Sequence, residues 1–510
     1  MQEQTIFDLM YEPFKINKPI RLIELFAGIG SQATALKRLG VPFEQYRISE
    51  WAVKSILAYK NLHHPNDNYD YSKDHTKEQL VDVLYHIGGI SSNYNEPMTK
   101  QQIAKLDESK LRDIFNAMVV TKNLGNIQNI TADRLGIENT DIYIYICTYS
   151  FPCQDLSLAG KGKGMSDTST RSGMLWEVER LLSETKEKPQ VLIMENVVDV
   201  HNERNKDDFK KWILRLEELG YKNYFQDLIA TDYGIPQTRN RCFMVSLLGD
   251  YSYSFPQKQK LDLKLKDLLE ENVDKKYFLS DRMMNYIFSK DDKYQVNENS
   301  LQINREIAVA KTTREGCTRA DTSDYIGVID SYNKKETNPN YAGTIVAGQG
   351  RNQGSMLLIK NATKKGYIEA EEGDGIDLAQ PNSETHRGRV QKGKSQTLNT
   401  YGGDNIGVVV KPQVLGGIGE RDSNNNTQWK QQNRKYKDDV AIAVTTICNP
   451  YYQNDLRIRK LSPRECGRLM GFNDEEITLL SKGQSDSSLY HLFGDSIVVN
   501  VIEAVMKQLF

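Results

Sequence analysis

Apolar positions fall first in a continuous run, IRLIELF at residues 20–26, then at helical spacing through SQATALKRLG, then again in FEQYRISEW. This pattern predicts a buried strand, a helix ending at Gly40 and a second strand, a βαβ unit. The later runs DIYIYIC, QVLIMENV and RCFMVSLL predict further strands, and SGMLWEVERLLSET and DDFKKWILRLEELG predict amphipathic helices between them. Such alternation implies an α/β fold with a doubly wound, mostly parallel sheet, whose ligands bind at the carboxyl ends of the strands.

Two departures from the alternation divide the chain. A polar, Tyr- and Lys-rich stretch at about 65–124 is expected to be a helical insertion. After Phe255 and Pro256 the composition shifts to Asn, Gly, Lys and Gln, so a second, smaller domain is expected over about 257–456. YAGTIVAGQGRNQG, KSQTLNTYGGDNIG and AIAVTTICNPYYQ echo one another there, too unevenly spaced for a solenoid and better read as related hairpins. From Arg457 helical patterning returns. In the closing GDSIVVNVIEAVMKQLF, Asp495 and Ser496 are placed to cap the last helix.

Composition narrows the classes. At 510 residues the chain exceeds what one core supports, and at 39% hydrophobic it has no apolar run of bilayer length. Its first residues lack a leader pattern, so no membrane and a cytoplasmic location are expected. Six cysteines occur without metal-ligand spacing, so neither a disulfide framework nor a metal site is expected. The net charge of −2 gives no overall attraction to nucleic acid, but between Arg387 and Lys437 ten Lys or Arg face three Asp or Glu, with aromatics interleaved. That is a candidate phosphate-tracking surface.

The chemistry gathers at strand ends. Gly28, Gly30 and Ala33 after the first strand fit G-x-G-x-x-G/A, and Glu50 ends the next strand where a ribose-binding acid belongs. Trp51 beside it offers a flat face for an adenine. Both NAD and S-adenosylmethionine (SAM) satisfy this pattern. Cys153 follows Pro152 at the exit of DIYIYIC, a stiffly held thiol on the ligand side of the sheet. Glu195 and Asn196 close QVLIMENV, while Arg239 and Arg241 begin another strand. Thiol, carboxyl and paired guanidinium groups suit attack on an electron-poor ring whose charge must be stabilised.

In order along the chain, ELFAGIG, SEW, GNI, SFPCQDLS, TRSGMLWE, ENV, DYGIPQTRNR, RKLSPRECGRLMGF and GDSIVV resemble the bacterial and phage DNA cytosine-5 methyltransferases. The resemblance implies a Rossmann-like, SAM-dependent catalytic domain over 1–256, a target-recognition domain over 257–456, and a segment 457–510 returning to the catalytic domain. It implies that Cys153 adds to C6 of a flipped-out cytosine, that Glu195 bonds N3 and the exocyclic amine, and that Arg239 and Arg241 hold the carbonyl oxygen and thiol surroundings. For SAM it implies Phe26 and Trp51 against the adenine, Gly28 and Gly30 under the amino-acid moiety, Glu50 on the ribose and Leu175 in the pocket wall. Three positions depart from the usual pattern: Asn126 and Asp495 in the cofactor set, and Ser150 where glycine is commoner. The family's Thr-aliphatic recognition pair matches Thr397-Leu398 best, with Arg387, Arg389, Lys392 and Lys394 expected on phosphates. The expected partner is double-stranded DNA, with a separately acting restriction endonuclease, phage self-protection and a solitary role as the open alternatives, and the protein is expected to be a monomer in a bacterial or phage-infected cell.

Overall fold

The structure, a computed structural model, describes residues 11–152, 172–278, 357–362, 367–378, 389–395, 397, 406–410, 420–421, 427–428 and 457–510. The chain forms two compact units, one of Met1–Leu263, Thr397–Gly402 and Pro463–Phe510, the other of Lys264–Gln396 and Gly403–Ser462.

In the first unit β1 (Ile20–Leu25), α1 (Ser31–Arg38), β2 (Phe43–Ser49) and α2 (Val53–His63) form the expected βαβ start. The sheet continues with β3 (Ile144–Tyr149), β4 (Val191–Val197), β5 (Tyr221–Ile229) and β6 (Asn240–Leu248) in the order β2-β1-β3-β4-β6-β5. Strands β2, β1, β3 and β4 run parallel, whereas β6 runs antiparallel to both β4 and β5. Strands β3 and β4 are almost wholly buried, as parallel strands covered on both faces must be. The reversal of β6 matters for the site: a reversed strand begins at the edge where its parallel neighbours end. Asn196, at the end of β4, therefore lies opposite Cys242, and Val197 opposite Arg241.

Between α2 and β3 lie α3 (Lys77–Val83), α4 (Lys100–Ala104), α5 (Glu108–Val120) and α6 (Ala132–Leu135). Leu80, Leu84, Ile103, Leu111 and Ile114 give this region its own apolar cluster, packed on Val53 and Ile56 of α2. Helices α7 (Leu175–Glu184) and α8 (Lys206–Glu218) follow β3 and β4 and bury Val178, Leu181, Phe209 and Trp212 in the sheet's main cluster.

The C-terminal segment supplies α9 (Pro463–Leu469), α10 (Asp474–Leu480), α11 (Asp486–Asp495) and α12 (Val499–Lys507), the last packing on α1. Asp486–Lys507 is apolar enough in composition to cross a membrane, yet 72% of that window is buried inside the protein, where it serves as core. The expected capping of the last helix is corrected here. Asp495 ends α11, Ser496 donates to the Phe493 carbonyl at 2.9 Å, and α12 starts after Val498 without a side-chain cap.

In the second unit β9 (Gly375–Asp377), β10 (Val390–Gln391), β11 (Ile406–Val410) and β14 (Arg457–Lys460) form an antiparallel sheet in the order β10-β9-β11-β14. Hairpins β7 (Leu357–Lys360) with β8 (Tyr367–Ala370) and β12 (Glu420–Arg421) with β13 (Thr427–Gln428) complete its described strands. The stretch YAGTIVAGQGRNQG lies outside the described residues.

Candidate active site

The turn after β1 is sharp enough that Phe26, Gly28 and Gly30 all have left-handed backbones, with φ of 57°, 55° and 77°. Left-handed φ is uncommon for a phenylalanine and costs roughly 1–3 kcal/mol, strain of the kind that collects at ligand sites. A Cβ on Gly28 would meet nothing within 4 Å, so the backbone there faces open space that a ligand could occupy. On Gly30 it would lie 2.2 Å from His63 Nε2 and 2.6 Å from Tyr59, so this glycine is required by the packing beneath the turn.

That packing was not legible in the sequence. Buried Glu24 accepts from Tyr59 Oη at 2.5 Å and from the Ala33 backbone N–H at 3.3 Å, and burial pushes its carboxyl up to about 7. Burial holds His63 neutral, well below its ordinary range. Its ring nitrogens lie 3.0 Å from the Ile29 carbonyl and 3.1 Å from Lys37 Nζ, which assigns the proton to Nε2. Both α2 side chains thus fasten the turn from below.

Glu50 closes the same pocket. It is buried, and its two carboxylate oxygens accept from the Gly28 N–H at 2.9 Å and the Ala52 N–H at 2.7 Å. Burial raises it to about 7 against those donors, with a further push from Asp495. Each oxygen keeps a second lone pair for a hydroxyl. Trp51 next to it is partly exposed. Asp495 Oδ2 lies 2.8 Å from His491 Nδ1, and the His491 ring stacks on Tyr94, with centroids 3.9 Å apart. Tyr94 feels the charges of Glu50 and Asp495, so the insertion, the β2 exit and α11 converge here. Neither Tyr94 nor His491 carried a sequence signal.

One cofactor expectation changes. Leu175 has no accessible surface and sits in the main core cluster, so it supports the wall without lining it. Asn126 Oδ1 caps the 3-10 turn Ile127–Asn129, accepting from the Gln128 N–H at 3.1 Å, and leaves one lone pair over.

Further along the same edge, the exits of β3 and β4 are tied twice. Ser150 Oγ donates to Glu195 Oε2 at 2.6 Å, and Asn196 Nδ2 donates to the Phe151 carbonyl at 3.0 Å. Glu195 is buried, and its Oε1 lies 3.3 Å from Arg241 Nε with no hydrogen-bond partner among the described residues. Phe151 is buried and Pro152 follows; Cys153 lies outside the described residues. Arg239 is buried as well. Its guanidinium donates to the carbonyls of Gly494 at 3.1 Å and Ser496 at 2.9 Å, holding the C-terminal segment. Near this edge His201, Asp227 and Cys242 bring an imidazole nitrogen, a carboxylate oxygen and a thiol within 4.8 Å of one another, from positions too scattered to form a motif.

Among the DNA-contact expectations, Arg389 is corrected: it is fully buried, and its backbone carbonyl accepts from the Asp377 N–H at 2.8 Å. A fully buried guanidinium has no surface to offer a phosphate. Lys392 is half exposed and lies 2.9 Å from Asp374 Oδ2, while Lys394 is partly exposed. Thr397 lies outside regular structure, and Arg387 and Leu398 lie outside the described residues.

A Rossmann-like sheet with a glycine turn after β1, an acid after β2 and a second site at the β3–β4–β6 edge defines a methyltransferase-type architecture. The family model for C-5 cytosine-specific DNA methylases matches residues 78–510, and the chain belongs to that family. The type II methyltransferase M2.ScrFI of Lactococcus lactis subsp. cremoris is 37% identical over 289 residues, 54% of this chain and 76% of that protein. The orphan methyltransferase M.SssI of Spiroplasma monobiae is 33% identical over 304 residues, 59% and 76% of the two chains. The orphan methyltransferase M.SPRI of Bacillus phage SPR is 26% identical over 535 aligned positions, 96% of this chain and 97% of that one. The protein is a DNA cytosine-5 methyltransferase, acting on cytosine in a sequence-specific manner, and SAM is the methyl donor of its class.

Proposed function

We propose that methylation proceeds through a covalent adduct between Cys153 and C6 of a cytosine flipped out of double-stranded DNA. A stacked base cannot present C6 to a side chain, so extrusion must come first. The Cys153 thiolate adds to C6, and the ring's electron pair moves toward C5 as Glu195 gives N3 a proton. SAM, bound, supplies an electrophilic methyl carbon. Loss of the C5 proton to a base then allows the C6–S bond to break, which returns the thiolate while N3 gives its proton back to Glu195. Arg241, beside Glu195, is placed to stabilise charge on the ring, whereas Arg239 acts by positioning. These steps activate the ring with a thiolate and a carboxyl, and so require no metal.

The cofactor fits the residues present. Gly28 offers the open backbone, Glu50 the ribose acceptor, Phe26 and Trp51 the aromatic faces, and Asn126 a spare acceptor; Asp495 adds negative charge to the same surroundings. Recognition of the DNA sequence is assigned to the second unit and the Thr397-Leu398 pair, with Arg387, Lys392 and Lys394 on phosphates. The protein acts as a monomer in the cytoplasm.

The observation that carries this reading is Glu195 buried at the exit of β4, with one oxygen accepting from Ser150 just past β3 and the other ion-paired with Arg241 and accepting no hydrogen bond among the described residues. Cys153→Ala should reduce methyl transfer more than about a hundredfold while leaving calorimetric SAM affinity within about twofold. A variant that still transfers methyl groups at a tenth of the normal rate would overturn covalent catalysis.

A further inference from the structure

We propose that Ser150 is a positioning residue for the reaction, one that fixes the rotamer of Glu195 at the exit of β4. This rests on the reading of Glu195 as the proton donor to the base.

The two carboxylate oxygens of Glu195 have divided surroundings. Oε2 accepts the Ser150 hydroxyl at 2.6 Å, at the short end for an O–H···O bond. Oε1 is buried, lies 3.3 Å from Arg241 Nε, and has no hydrogen-bond partner among the described residues. A buried carboxylate oxygen that is ion-paired but accepts no hydrogen bond keeps acceptor capacity for a ligand's donor. The geometry therefore leaves Oε1 for the base and gives Oε2 to the protein. Without a fixed Oε2 the carboxyl could rotate about its terminal torsion, which is broad and two-fold.

Placement along the chain strengthens the inference. Ser150 and Phe151 follow β3 directly, and Glu195 and Asn196 lie at the end of β4. Consecutive residues on one strand exit are bonded to consecutive residues on the other, Ser150 to Glu195 and Phe151 to Asn196. Two adjacent bonds fix both the separation and the twist of the exits, where one would act as a pivot. In the sequence Cys153 follows Ser150 by three residues. A glycine at 150 would retain the backbone tie through Phe151 but supply no hydroxyl.

The test is single-turnover methyl transfer to a duplex carrying the methylated site, with SAM and DNA affinities measured separately. Ser150→Ala and Ser150→Gly should each slow the chemical step about tenfold or more, leave both affinities within about twofold, and leave the melting temperature within a few degrees. Ser150→Thr, which keeps a hydroxyl, should recover most of the rate. In a Glu195→Gln background, itself slowed at least about a hundredfold, adding Ser150→Ala should cost under threefold more, because the shared interaction is already altered. If Glu195→Gln is slow but Ser150→Ala keeps its rate within twofold, or Ser150→Thr rescues nothing, the positioning role is overturned while the Glu195 reading stands. If Glu195→Gln itself keeps its rate, the underlying reading fails and the proposal falls with it.

Discussion

Glu50 shows how much one residue's surroundings decide. Burial raises its carboxyl to about 7 even with backbone donors on both oxygens. Ribose hydroxyls donate, so they bind the ionised carboxylate better than the protonated form, and SAM affinity should rise with pH through about 7. Calorimetry at pH 6 and pH 8 should show roughly a tenfold gain at the higher pH, flattened in Glu50→Gln. An identical pH dependence in both proteins would remove Glu50 from the ribose. Glu24 gives the matching stability test. Its folded carboxyl titrates at about 7 against 4.5 when unperturbed, so the folded state holds a proton that the unfolded chain has released. The stability this contributes is fully present below about pH 4.5 and is lost as pH rises through about 7, by up to about 3 kcal/mol. Urea unfolding at pH 5.5 and pH 8 should show a smaller drop for Glu24→Gln than for the parent protein.

Among the elements, the β1–α1 turn has the least tolerance. Gly30→Ala would need an alanine at φ 77° with its Cβ 2.2 Å from His63 Nε2, so it should destabilise the protein by roughly 2 kcal/mol or more and abolish SAM binding. Normal calorimetric affinity in that variant would show that the turn can be rebuilt. This element also marks what was legible beforehand. Gly28, Gly30 and Glu50 could be read from the sequence because a tight turn and an acid at fixed spacing leave a local pattern. Tyr59, His63, Tyr94 and Ser150 could not, since each acts on a partner far away in sequence. Arg389 misled for a related reason: charge counting assigned it to a surface, whereas its side chain is fully buried. Leu175 was placed at the pocket by motif membership, but its apolar side chain belongs to the core.

In the molecule as a whole, the C-terminal segment completes the catalytic unit, and Arg239 fastens it. Its two bonds to the carbonyls of Gly494 and Ser496 are charge-assisted and buried. Arg239→Ala should therefore destabilise the protein by roughly 2–4 kcal/mol. SAM affinity should fall with it, because Asp495 lies between the two clamped carbonyls. Arg239→Lys should recover little, since an ammonium lacks the planar fork; unchanged melting with lost turnover would return Arg239 to the base. The central claim is that a covalent cysteine adduct at C6 carries the methylation, and trapping tests it most directly. In a duplex whose target cytosine carries fluorine at C5, no proton can leave that carbon after methyl transfer, so the C6–S bond cannot break. Incubated with that duplex and SAM, the protein should migrate with the DNA on a denaturing gel, and Cys153→Ala should not. Release of the intact wild-type protein from fully turned-over fluorinated duplex, or retention of the Cys153→Ala variant, would contradict the account.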